Sequence, residues 1–344
     1  MQLIEIYKKF TYFCISIACT VNAANLYDQA SPLSARLDNW NYPYPTTSFN
    51  VSQQNKTLEM IYMDIKPKGV SLGTVLLFHG KNFGSDYWAP TIAALTKAGY
   101  RVIAPDQIGF GKSEKPDIDY HFDDLALNTK ALLDHLQIKK VFVIANSMGG
   151  MLGIRFANLF PQAVQKLVLE NPLGLEDYSD FIPSQTNENL LKLEMAQTET
   201  SYRNFLKSYF PNWKDDYDRF VEIYVRVQKG SEYLNFSKAS VLTYQMIAER
   251  PVIKDLPNLS MPTLLIIGQK DRTVFGRRFA PPEAVKSAGN FPLLGKQAAE
   301  KIPNAQLVEI DNAGHVPHLE MSDEFNQHVI KFFKNQSKLK LLDI

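Results

Sequence analysis

Between residues 49 and 170, short apolar runs alternate with amphipathic stretches, and no other feature of the chain restricts the possible folds as much. Thr74–Phe78 and the stretches 100–104, 141–145 and 166–170 are almost continuously apolar, as strands buried on both faces are. Between them, 87–98, 122–136 and Met148–Leu159 carry apolar residues at helical spacing. In the second of these Phe122, Leu125, Leu132, Leu133 and Leu136 share one face, while Gly99 ends the first and Pro161 the third. An opening hairpin is read from alternating residues at 49–51 and 58–64 around the polar turn Gln53-Gln54-Asn55. Strand–helix alternation of this kind predicts an α/β fold whose parallel sheet is covered by helices on both faces.

The rhythm stops after residue 173. Residues 174–257 hold no strand pattern and read as several amphipathic helices rich in aromatics, among them Tyr202, Phe205, Tyr209, Trp213, Phe220 and Tyr224. Alternation resumes with Thr263–Gly268 and, after a long proline-containing loop, with 306–310 and a closing helix near 323–333. The simplest organisation is an α/β core built from 49–173 and 258–344, a helical cap at 174–257 and an N-terminal extension at 24–48. Apolar residues make up 45% of the 344, which excludes a disordered chain. Its 37 basic and 36 acidic residues form no runs, so neither a nucleic-acid footprint nor a polybasic membrane patch is present. The expected partner is a small molecule, apolar in character.

The first residues form a separate object. Lys8 and Lys9 precede the apolar run 10–21, and Val21-Asn22-Ala23 supplies the small residues of a cleavage site, so 1–23 reads as a signal peptide. A run of about 12 residues is short of the roughly 20 that span a bilayer, so stable membrane insertion is not expected after cleavage. An uncleaved N-terminal anchor is the alternative, and Ser16-Ile17-Ala18-Cys19 is a poor lipidation site. Cleavage would remove Cys14 and Cys19, leaving a neutral, cysteine-free protein with no disulfide and no thiolate chemistry. Such a protein suits a periplasm or the medium.

Ala145-Asn146-Ser147-Met148-Gly149-Gly150 lies directly between a buried strand and a helix. A serine hydroxyl needs a base to take its proton and donors to hold the resulting oxyanion. A tight strand–turn–helix lifts Ser147 above the sheet and aims the Met148 N–H at an incoming carbonyl oxygen; the small residues Ala145 and Gly149 permit the close approach. The partners should follow in the order acid, then histidine, and both should lie beyond strand ends. Asp271 follows 263–268 and His315 follows 306–310, so they are the assigned acid and base. Asp311 and His318 are their rivals. A metal held by His315 and His318 lacks a third ligand, and neither metal nor cofactor is expected. The second oxyanion donor should come from His79-Gly80-Lys81-Asn82-Phe83-Gly84, with the Lys81 N–H first and Asn82 second, and His79 in a structural role. Asp106 through Ser113 resembles a phosphate loop only superficially, since Lys112-Ser113 opens no helix; it reads as a turn shaping the pocket floor.

Together His79-Gly80, Asp106 with Gly109-Phe110-Gly111-Lys112-Ser113, Ser147, Asp271 and Gly314-His315 resemble the α/β-hydrolase superfamily over the chain from about residue 49 onward. The resemblance implies an eight-stranded, mostly parallel sheet with a helical cap inserted after the sixth strand. The elbow is similar to that of carbon–carbon bond hydrolases acting on ring-cleavage products. Lys81-Asn82-Phe83-Gly84 departs from their glycine-rich loop and looks more like a bacterial group of unassigned hydrolases. Dehalogenase and epoxide hydrolase chemistry needs an aspartate where Ser147 stands. The leading expectation is a serine hydrolase cleaving a carboxylic ester with an apolar acyl or aryl group. Carbon–carbon bond or lactone cleavage by the same residues is the alternative, and a hydrolase-like protein that binds without turnover is a third.

Overall fold

The computed structural model describes Tyr27 and residues 29–335. The leader read at 1–23, with both cysteines, lies outside the described residues, as does the chain beyond 335. Eight strands form one sheet: β1 (Thr46–Gln53), β2 (Lys56–Ile65), β3 (Thr74–Phe78), β4 (Arg101–Pro105), β5 (Val141–Asn146), β6 (Val164–Glu170), β7 (Thr263–Gly268) and β8 (Ala305–Ile310). Their spatial order is β1-β2-β4-β3-β5-β6-β7-β8. Strand β2 runs antiparallel to both neighbours, and every other pair is parallel. The β1–β2 hairpin closes on Gln54 and Asn55, both at positive φ (49° and 61°), the twist that a two-residue connection requires.

The core helices are α1 (Ala89–Lys97), α2 (Phe122–His135) and α3 (Met148–Leu159). Between β6 and β7 come α4 (Asn187–Met195), α5 (Glu199–Lys207), α6 (Asp218–Gln228) and α7 (Tyr233–Glu249), with no strand among them. After β7 follow α8 (Pro282–Ser287), α9 (Phe291–Lys301), α10 (Pro317–Glu320) and α11 (Ser322–Lys334). The stretch expected to be a long proline-containing loop therefore holds two helices. Pro282 and Pro292 stand in the first turns of α8 and α9, where a missing N–H costs nothing, so they mark helix starts rather than loop. A parallel β7–β8 pair also needs a crossover, and α9 supplies it.

Side-chain alternation divides the core into two layers. Leu76, Val143, Leu265 and Ile267 face a layer shared with Leu125 of α2, Leu152 of α3 and Leu294 of α9. Val75, Leu77, Ile144 and Ile266 face the other, with Ile92 of α1, Phe325 of α11 and the cap residues Tyr202 and Phe220. Each such side chain, taken fully out of water, contributes about 1.5–3 kcal/mol. The strand order reverses at β3, between β4 and β5, and a crevice opens at that switch, beyond the carboxyl ends of β3 and β5.

Candidate active site

Ser147 follows β5 at this switch point, with φ +57° and ψ −123°. That is a strained region for a residue with a Cβ, and it holds only where the surroundings over-determine it. Here they do. The Ser147 N–H donates to the Glu170 carbonyl (3.2 Å), and the Ser147 carbonyl accepts from Gly150 (2.8 Å) and Leu173 (2.9 Å). Gly149 is needed because a Cβ there would lie 2.3 Å from the Phe78 carbonyl oxygen, so α3 starts in contact with the end of β3. A Cβ on Gly80 would lie 3.2 Å from that of Ser147, which places the loop after β3 against the elbow. The Met148 N–H, in the first turn of α3, has no helical acceptor, as for every helix start.

The structure brings Ser147, His315 and Asp271 together, although the flanking strands are far apart in sequence. Ser147 Oγ lies 2.9 Å from His315 Nε2, and His315 Nδ1 lies 2.7 Å from Asp271 Oδ2. All three side chains are buried. With the carboxylate accepting from Nδ1–H, Nε2 is left as the acceptor of the serine hydroxyl, and the imidazole can take that proton as the oxygen attacks a carbon. The rivals are placed elsewhere. Asp311 is exposed. His318 Nδ1 pairs with the Glu170 carboxylate at 2.8 Å and its ring stacks on Trp88 at 3.9 Å.

Lys81 and Asn82 lie at the cavity, but their side chains reach the cap. Lys81 Nζ donates to the Ser240 carbonyl (2.9 Å), and Asn82 Nδ2 donates to Tyr209 Oη (3.1 Å). His79 is structural: Nδ1–H donates to the Gly80 carbonyl (2.9 Å) and Nε2 accepts from the Gln107 N–H (3.0 Å), while burial lowers its pKa. The Asp106 carboxylate closes the turn that follows β4, accepting from the N–H groups of Ser85 (2.6 Å) and Lys112 (2.7 Å). Gly109, Phe110 and Gly111 of that turn line the cavity.

Three positioning residues escaped the sequence reading. Asn146 Nδ2 donates to the carbonyls of Glu170 (3.2 Å) and His315 (3.1 Å), while its Oδ1 accepts from Tyr87, which itself accepts from the Gly80 N–H. Asn171 Nδ2 donates to Asp271 Oδ2 (2.7 Å), and its Oδ1 accepts from the Gly268 N–H (3.0 Å). Glu320 Oε1 accepts from Gly314 (2.9 Å) and Val316 (3.2 Å), the two N–H groups flanking His315, and burial pushes its pKa up to about 7. Only Asn146, an amide in a buried strand beside the serine, left a signal in the sequence.

A cavity of about 730 Å³ stands over Ser147. Its walls include Tyr202, Phe205, Tyr209 and Tyr224 of the cap and Phe275 and Phe279 after β7. The cap aromatics also pack on one another, Tyr202 on Tyr224 at 3.9 Å and Phe205 on Tyr209 at 5.0 Å. They are cap core and cavity wall at once.

The family model for the α/β-hydrolase fold matches residues 73–321. The 2-hydroxy-6-oxononadienedioate/2-hydroxy-6-oxononatrienedioate hydrolase of Escherichia coli K12 is 30% identical over 294 residues, covering 82% of this chain and 93% of that one. The enzyme of the same name from Paraburkholderia xenovorans is 29% identical over 272 residues, covering 77% and 88%. Among solved structures, a probable hydrolytic enzyme of Pseudomonas aeruginosa PAO1 superposes with a TM-score of 0.87 at 39% identity, covering 89% of this chain and all of that one. The eight-stranded capped architecture and these relatives agree: the chain belongs to the α/β-hydrolase family and is a hydrolase.

Proposed function

We propose that the protein is a serine hydrolase acting on carboxylic esters with an apolar acyl or aryl group. The observation that carries this reading is the unbroken hydrogen-bonded path from Ser147 Oγ through the His315 ring to Asp271. Ser147 attacks the ester carbonyl carbon while His315 Nε2 takes its proton, and Asp271 stabilises the imidazolium. The backbone N–H groups of Met148 and Lys81 hold the oxyanion, with Asn82 supporting the loop through Tyr209. Collapse breaks the ester bond, His315 returns the proton to the leaving alcohol, and water deprotonated by His315 then releases the acid from Ser147. The aromatic walls supply the apolar preference. A fluorophosphonate probe should label the wild-type protein at Ser147; labelling that persists in Ser147→Ala would sink the assignment.

Carbon–carbon bond cleavage by the same residues is the second reading, and the names of the E. coli and Paraburkholderia relatives favour it. A panel of aryl esters, lactones and dienone acids at one pH separates the two. A higher kcat/KM on the dienone acid than on any ester would put carbon–carbon cleavage first.

A further inference from the structure

Lys81 lines the cavity that holds Ser147, and its side chain runs to α7. Besides the Ser240 carbonyl, its ammonium meets Ser240 Oγ at 3.2 Å and Thr243 Oγ1 at 3.4 Å, and both residues line the same cavity. All three acceptors are neutral. No carboxylate among the described residues pairs with this cation: Glu194 acts on it from longer range and accepts from Tyr224 at 3.2 Å. Taking an ammonium out of water without a partner charge is unfavourable, and here burial pulls the lysine down to about 8. A fold sustains such a group most readily in a cavity where a ligand brings the missing charge. The Thr243 hydroxyl is committed to the Ala239 carbonyl (2.7 Å), whereas the Ser240 hydroxyl accepts from Lys81 and keeps its own hydrogen to donate.

We infer that Lys81 and Ser240 form a carboxylate-binding subsite, so that the substrate carries an anionic group on its apolar body within a lysine side chain's reach of the scissile carbonyl. This deepens the ester reading and depends on it only for where the scissile bond lies. Lys81, Ser240 and Ser147 line one cavity, so a single bound molecule can meet both the ammonium and the nucleophile. Around the cation, Tyr202, Tyr209, Tyr224 and Tyr244 stay neutral, their hydroxyls pushed up by burial, in Tyr244 to about 12. Arg277 and Arg278 stand exposed at the cavity wall and Arg272 donates to the Gln269 carbonyl, while the carboxylate of Glu194 lines the same cavity and acts on Lys81 without pairing with it.

The test is calorimetric titration of the Ser147→Ala full chain with 4-phenylbutyrate and with 4-phenylbutyramide, which share shape and differ in charge. The carboxylate should bind at least about tenfold more tightly near neutral pH. That ratio should fall as pH rises through about 8, where the ammonium loses its proton. Lys81→Met should bring the ratio close to one, and Lys81→Arg should keep it. Equal affinities, no binding of either compound, or a preference surviving in Lys81→Met would overturn the subsite, as would a preference lost in Arg277→Gln with Lys81 intact. Should Lys81→Met fail to fold, Lys81→Arg and the pH series still decide. Fluorophosphonate labelling is read separately. Labelled protein without the preference refutes the subsite alone, and unlabelled protein with it refutes the nucleophile alone.

Discussion

At the rim of the sheet, Ser147, Asp271 and His315 are held by hydrogen bonds anchored in backbone: Asn146 ties Ser147's strand to the His315 loop, Asn171 ties Asp271 to Gly268, and Glu320 clasps both N–H groups beside His315. In the cap, hydrogen bonds such as Tyr224 to Glu194 are joined by ring-on-ring packing, as with Tyr202 on Tyr224, and the cap ring of Phe220 meets Phe83 of the loop after β3 at 4.9 Å. Hydrogen bonds are directional and tolerate little displacement, whereas aromatic packing accepts sliding and substitution of similar volume. Under the proposed function, the contrast separates the reaction, which needs fixed angles, from selectivity, which needs a wall of the right shape. Among the contacts that cross between the regions, Lys81 and Asn82 reach up to α7 and Tyr209, and the Tyr209 carbonyl accepts from the His315 N–H at 2.9 Å.

The largest effect that sharpens the contrast is loss of the relay. Ser147→Ala or His315→Ala should each lower ester kcat/KM by about 10⁴-fold or more, and the double variant should be no worse than the poorer single one. Additive losses would show that the two groups do not act as a unit. Next comes a rim glycine. Gly149→Ala puts a Cβ 2.3 Å from a backbone oxygen, and overpacking of this kind should cost on the order of 1–3 kcal/mol in urea unfolding. An unfolding midpoint equal to wild type would mean that the elbow is looser than its contacts imply.

A pH experiment probes the clasp. Because the Glu320 pKa is raised in the folded state, from 4.5 to about 7, folding favours its protonated form. Its contribution to stability is therefore full below about 4.5 and is lost as pH rises through about 7. Glu320→Gln keeps an acceptor for the two N–H groups without a charge, so the fall in denaturation midpoint between pH 5 and 8 should shrink. An unchanged slope would place the titration elsewhere. The smallest effect belongs to the cap. Tyr209→Phe removes the acceptor of Asn82 Nδ2, a bond worth about 0.5–1.5 kcal/mol, and should raise KM several-fold while moving kcat less. A loss mainly in kcat would make Tyr209 part of the rim.

Much of the fold was legible along the chain because parallel strands buried on both faces write themselves as continuous apolar runs. Thr74–Phe78, Met148–Leu159 and Thr263–Gly268 stand where their patterns put them. Helices α8 and α9 were not legible, because their prolines carry the same letter whether they break a helix or open one, and only the α9 crossover between β7 and β8 distinguishes the cases.

Residue order alone determined the layered α/β core, the serine in its strand-to-helix turn, and an acid and a histidine beyond later strands, since these follow from local periodicity and turn chemistry. Tertiary structure alone decided that His315 engages Asp271 while His318 turns to Glu170, that Asn171 and Glu320 serve as braces, and that Lys81 reaches the cap. Those choices depend on distances between strands remote in the chain, and side-chain identity at one position carries no information about which distant partner the sheet will bring within reach.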